Sequence, residues 1–163
     1  MRRINNKGSL IIEVLISIAV ATTFSLAIGS LALTNNRMIT VAQQEIKGTA
    51  LAKESMEQIF AIKQESWAAL GNLDEGHYLI RENGSNYELY LPSDPAHPEE
   101  EIDGNFHRKI TISKGYRDSD GEISDSGQED PNTRRIDVTV SWNELGNPRE
   151  INLTGYLTNW KGQ

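Results

Sequence analysis

Gly8 closes a short basic leader, and the run that follows it, K-G-S-L-I-I-E-V-L-I-S-I-A-V over residues 7–20, holds a single acid, Glu13. Residues of these types at this spacing suit two pieces of chemistry. A glycine ahead of Ser9 lets the backbone enter a tight peptidase cleft in extended form, because no side chain obstructs it. Gly8–Ser9 is the best Gly-plus-small junction near the apolar run. Glu13 puts a carboxylate into a stretch, residues 9–33, that is otherwise free of charge. An acid inside a membrane span costs roughly 2.5–3.5 kcal/mol on insertion scales. A plain anchor would not keep it, so Glu13 is a candidate functional residue in need of a cation.

The remaining chain offers little chemistry. Asp118, Asp120 and Asp125 stand around Gly121 and Glu122, with Glu129 and Asp130 further on. Alternating oxygen ligands beside a glycine suit a hard cation such as calcium. This loop lacks the third acid or amide before its glycine and the closing glutamate of an EF-hand, so it reads as a solvated acidic loop and no metal is expected. His77, His97 and His107 have no second histidine at metal-site spacing. No G-x-S-x-G, H-E-x-x-H or phosphate-binding glycine loop is present. The expectation is a chain with no cofactor, no active site and no enzymatic activity.

The element that must position Gly8 and Glu13 is a helix. Residues 9–33 are enough to cross a bilayer at about 1.5 Å per residue. Arg2, Arg3 and Lys7 precede the span, which predicts an N-terminus in the cytoplasm and a C-terminal domain outside. A secretory signal would place its small-residue cleavage site after the apolar core. Ala19 to Thr22 supply such residues, but the better Gly-plus-small junction, Gly8–Ser9, lies before it. No proline occurs before Pro92, so one helix can run over residues 9–66. Gly29 and Gly48 are either flex points or small residues at close packing. Beyond the span, Ile46, Ala50, Leu51, Met56, Ile59, Phe60 and Ile62 form an apolar stripe that needs a cover.

After Gly71 the period changes to two. Residues 78–81 and 87–91 flank Asn83-Gly84-Ser85-Asn86 and read as a hairpin. Pro92, Pro95 and Pro98 and three glutamates make residues 92–101 an irregular link. A third strand is expected over 106–113, a fourth over 134–142 and a fifth over 151–160. The predicted fold is α+β: a long N-terminal helix, transmembrane in its first half, packed on an antiparallel sheet of four or five strands. Its core should include Leu51, Ile59, Ile110, Val138, Val140 and Trp142.

The 163 residues carry a net charge of −7 and no cysteine. With a span removed, one modest domain remains, held by core packing alone. An acidic ectodomain does not favour nucleic acid or anionic lipid as its partner.

At Gly8, Ser9 and Glu13 the chain resembles the type IV prepilin family, which includes pilins and the pseudopilins of type II secretion. In that family a prepilin peptidase cuts after the glycine and methylates the new amine, and a glutamate at mature position five supports assembly. Cleavage after Gly8 makes Ser9 the first residue and puts Glu13 at that position, with Leu10, Ile11 and Ile12 between. The family more usually begins with Phe or Met, a departure here. A-L-A-K-E-S-M-E-Q-I-F-A-I-K-Q-E-S-W (50–67), N-F-H-R-K-I-T-I (105–112), V-T-V-S-W (138–142) and Y-L-T-N-W (156–160) look like segments of its minor members.

The resemblance implies a type IV pilin-like fold and four regions: a cleaved leader (1–8), an assembly helix (9–33), its extracytoplasmic half (34–66) and a β region (67–163). It also implies a minor pilin or pseudopilin, methylated at Ser9. Its partners would be the prepilin peptidase, the inner membrane and other pilin or pseudopilin subunits through the N-terminal helix, with no nucleic acid bound by the isolated subunit. It would sit as a single-pass inner-membrane protein before joining a periplasmic or extracellular filament. The competing reading is an uncleaved, single-span extracytoplasmic binding domain, which leaves Glu13 unexplained.

Overall fold

The structure is a computed structural model; it describes residues 7–144 and 146–160, with side chains from residue 10 onward. The chain is α+β. Helix α1 (Lys7–Glu65) is followed by a single turn of helix, α2 (Ala68–Gly71), and then by seven strands. These are β1 (Gly76–Asn83), β2 (Asn86–Tyr90), β3 (Glu100–Ile102), β4 (Phe106–Arg117), β5 (Ile123–Ser124), β6 (Gln128–Glu144) and β7 (Asn147–Thr158). All pairings are antiparallel, in the order β2-β1-β4-β6-β7, with β3 and β5 as short additions to β4. The expectation of four or five strands is corrected to seven among the described residues, because β3 and β5 hide in segments rich in acids and turn residues. Residues 92–101 are accordingly not irregular to their end.

The chain divides into two compact units, Met1–Gln43 and Gln44–Gln163. The first holds the N-terminal part of α1, whose described apolar side chains are exposed, from Leu10 and Ile11 to Leu33. This helix is long and apolar enough to cross a membrane.

In the second unit the core lies between α1 and one face of the sheet. Strand alternation sends Phe106, Arg108, Ile110 and Ile112 of β4, and Ile136, Val138, Val140 and Trp142 of β6, to that face. The register sets Ile110 beside Val138 and Ile112 beside Ile136, so apolar rows match across the ladder. The opposite face of β6, with Arg135, Asp137, Thr139 and Ser141, is polar and half-buried.

The helix stripe differs from the expected one. Gly48, Ala52, Ser55, Ile59 and Ile62 are buried, at steps of four and three, whereas Ile46 is 70% and Phe60 45% exposed. Ala50 is exposed and Leu51 half-buried. Small residues share this face with Ile59 and Ile62 because they let the helix backbone approach the sheet. A Cβ on Gly48 would stand 2.7 Å from the Trp142 ring. Gly48 is thus a packing glycine.

Two local features shape the sheet. Gly84, at φ 70°, opens the two-residue turn between β1 and β2, a conformation glycine adopts without steric cost. Between β4 and β6 the register shifts at Lys114/Gly115, so that Lys114 faces Arg134 but Gly115 faces Asp130. Pro131 falls in this bulge, where no ladder bond to β4 is asked of it.

Candidate functional site

Glu13 shares one face of α1 with Leu10, Val14, Ser17, Ile18 and Ala21, spaced at helical steps of three and four. The other described polar side chains of the span are turned inward onto the helix itself. Ser17 Oγ donates to the Glu13 carbonyl at 2.8 Å, Thr22 to Ala19 at 2.9 Å and Thr23 to Val20 at 2.7 Å. Ser25, Ser30 and Thr34 make the same kind of bond to Ala21, Ala27 and Ser30. These hydroxyls are satisfied by backbone carbonyls one turn back and add little polar surface. The Glu13 carboxylate is exposed and has no hydrogen bond or ion pair among the described residues. Among the described side chains of the span it is the one whose burial would demand an outside partner.

The Gly8–Ser9 bond lies in the first turn of α1, which begins at Lys7. The first four N–H groups of a helix have no carbonyl partner in the helix, so this turn is the cheapest part of α1 to unwind. Met1 to Asn6, and with them Arg2 and Arg3, lie outside the described residues, as does the Ser9 side chain.

The structure does not gather Asp118, Asp120 and Asp125. Asp118 Oδ1 accepts the N–H groups of Asp120 and Glu122, both at 2.9 Å, and so closes its own turn around Gly121. Asp125 faces the sheet instead, accepting from Arg135 Nη1 at 2.8 Å and Tyr156 Oη at 2.5 Å. Among the described residues no group of three or more His, Cys, Asp or Glu side chains is placed to hold a metal ion. His77 meets Thr111 Oγ1 at 3.0 Å and His97 meets Asp94 at 2.8 Å, each on a separate strand or loop.

A polar centre that the residue pattern did not reveal ties helix to sheet. Arg108, 7% exposed, donates through Nη1 to Ser55 Oγ at 3.0 Å and through Nε to Glu100 at 3.0 Å; its Nη2 also meets Glu100. Alternation put Arg108 on the inward side, but nothing in the chain marks Ser55 and Glu100 as its partners. Nearby, Lys47 pairs with Asp103 and stands 5.2 Å from the Phe106 ring centre.

At the bulge, burial pushes the Asp130 carboxyl upward. Hydrogen bonds from Thr133 at 2.7 Å, Arg117 at 2.7 Å and the Asn132 N–H at 3.0 Å outweigh it and hold the group below the usual carboxylate range.

Set against known family models, curated proteins and solved structures, the chain matches none of them.

Proposed function

We propose that this chain is a minor pilin or pseudopilin, a structural subunit of a type IV pilus or type II secretion-like filament, with a type IV pilin-like fold. The observation that carries the reading is Glu13: a carboxylate with no partner among the described residues, on an exposed apolar helix, at the fifth position after Gly8. The helix-on-sheet unit behind it is of the kind the reading requires, and α1 can serve as a single-pass anchor with its N-terminus in the cytoplasm.

The steps are those that the resemblance at Gly8, Ser9 and Glu13 implies. A prepilin peptidase unwinds the first turn of α1, cuts after Gly8 and methylates the Ser9 amine. In the filament, span helices pack on one another, and the new ammonium of a neighbouring subunit meets the Glu13 carboxylate. An ion pair in apolar surroundings is favourable only when both charges are matched, so the pair sets which registers are allowed.

The deciding measurement is the intact mass of the membrane-extracted protein. Loss of residues 1–8 with gain of a methyl group supports the reading. A full-length, unmodified chain overturns it in favour of an uncleaved single-span anchor. Gly8→Val should leave the precursor uncut in the membrane.

A further inference from the structure

The sheet forks after Tyr78. Strand β1 pairs with β4 only through Gly76, His77 and Tyr78, set against Ile112, Thr111 and Ile110. From Leu79 onward its partner among the described residues is β2 alone, and the start of β4, Phe106 to Arg108, takes β3 as its neighbour instead. Where the hairpin and β3 diverge there is a cleft of about 440 Å³, within the size range of small-molecule sites. It is a break in the sheet and not a hollow on one face. Glu82 and Tyr87 reach it from the side that holds buried Ile80, and Arg81 and Tyr90 from the other.

The lining carries unspent hydrogen-bonding capacity. Gln58 of α1 gives its Nε2 to Glu54 at 3.3 Å, while its Oε1 is buried and accepts from no group among the described residues. A buried acceptor without a donor is costly unless something else supplies one. Arg108, also on the lining and buried, spends three of its five N–H groups on Ser55 and Glu100, which leaves one on each terminal nitrogen. Glu82 is exposed and makes no ion pair among the described residues. Arg81 is fixed as a wall, paired with Glu88 at 3.1 Å and stacked 5.1 Å from the Tyr90 ring centre.

Charge on this lining is balanced, Arg81 and Arg108 against Glu82 and Glu100. A phosphate or carboxylate would face two glutamates and an ammonium two arginines, so neither sign of ion is favoured. A purely apolar ligand would seal Gln58 Oε1 and the Arg108 N–H groups without partners. The lining is satisfied by a neutral molecule that donates and accepts at adjacent positions and lays a C–H face on the half-buried Tyr87 ring. A pyranose ring with its hydroxyls has both properties.

We infer that the cleft between the β1–β2 hairpin and β3 is a saccharide-binding site that takes a neutral pyranoside. Ligand hydroxyls donate to Gln58 Oε1 and Glu82, ligand oxygens accept from the remaining N–H groups of Arg108, and one ring face lies on Tyr87. The site goes beyond filament assembly and does not depend on processing after Gly8 or on Glu13.

The test uses the full chain in a zwitterionic detergent without a sugar headgroup. It is titrated to millimolar concentration with the methyl glycosides of glucose, galactose, mannose and N-acetylglucosamine. Saturation-transfer NMR reads the sugar, and shifts of the Gln58 side-chain amide and the Arg108 Nε–H read the site. At least one glycoside is expected to bind and to move both signals. Gln58→Leu should lower its affinity about tenfold. The melting temperature of that variant should equal or exceed the parent's, because the substitution removes a buried acceptor that has no donor. Glu82→Ala, at an exposed position, should weaken binding severalfold. Binding by none of the glycosides, shifts confined to other residues, or unchanged affinity in Gln58→Leu would each overturn the inference. Equal shifts with inorganic phosphate or with the peptide triglycine would do the same.

Discussion

Gly48 of the helix and Trp142 of β6 occupy one space: the glycine has no Cβ because the indole is already there, 2.7 Å from where that atom would sit. Trp142 is 5% exposed and also tilts against Phe106, with ring centres 5.8 Å apart, so the ring cannot swing aside. Gly48→Ala sets two effects against each other. Alanine favours the helix by up to about 1 kcal/mol, whereas forcing a methyl group into a filled site costs about 1–3 kcal/mol. Overpacking should win, with a net loss of about 1–2 kcal/mol. Denaturant unfolding followed by tryptophan fluorescence measures it; a stabilised variant would mean the ring is free to move.

Arg108 and Glu100 should respond unequally to mutation. Arg108 is buried, while the Glu100 side chain is 35% exposed. Glu100→Ala strands a guanidinium in the core and should cost about 3–5 kcal/mol. Arg108→Met keeps most of the volume and leaves a carboxylate that water can reach, so the loss should be about 1–3 kcal/mol. Equal losses in unfolding experiments would show that the core solvates Arg108 without Glu100.

The Asp130 carboxyl is held below its ordinary value of about 3.9, so the folded state binds its proton less readily than the unfolded chain. Its contribution is complete above about pH 5, shrinks as pH falls through the carboxylate range, and is gone below the folded value. Asp130→Asn should therefore be less stable than the parent at pH 7, with a gap that narrows steadily towards pH 3. A gap independent of pH would assign the loss to packing at the bulge.

Val140 is fully buried between Trp142 and Val138 on the inward face of β6. Val140→Asp places an unpaired carboxylate among apolar side chains and should leave no cooperative unfolding transition. Reducing agent should not shift the melting of the parent, since the chain has no cysteine. A folded Val140→Asp protein would contradict the packing of β6 against α1.

Glu13→Val removes the one charge in the span, so membrane insertion should be unchanged or better. On the proposed filament reading, incorporation alongside unaltered neighbours should fall sharply, because the neighbour's ammonium loses its counter-charge. Pull-down of assembled filaments from a mixed population measures it, and full incorporation of the Val variant would remove the pairing model.

The parts legible in the chain were those where side-chain size and period carry the information. Ile136, Val138, Val140 and Trp142 alternate without a break, and all four are buried as expected, while Asn83-Gly84-Ser85-Asn86 marks its turn through glycine. The helix face was read in part: Ile59 and Ile62 are buried and Leu51 and Met56 pack against the core, but hydrophobicity ranks Ile46 and Phe60 above Gly48, Ala52 and Ser55. Contact with a sheet also selects small residues that allow close approach. β3 escaped because two of its three residues are glutamates, one of which, Glu100, accepts from Arg108. The start of β6 escaped because Gln128, Glu129, Asp130 and Pro131 resemble a loop until the bulge accounts for the proline. Gly8 and Glu13 are proposed from their types and spacing, a pattern that needs no tertiary context to be noticed.

The ties between α1 and the sheet have a mechanical consequence. Lys47 reaches Asp103 in the turn before β4, Ser55 accepts from Arg108 within β4, and Glu65 accepts from Asn86 at the head of β2 at 2.7 Å. These points are spread over 18 residues of helix, about 27 Å along its axis. A force drawn along the helix therefore loads all of them, and the apolar seam between them, in shear at the same moment. A peeling force would break them one at a time. Survival under tension depends on the height of the unfolding barrier and not on equilibrium stability, so a modest domain without a single covalent cross-link can still carry load in this one direction.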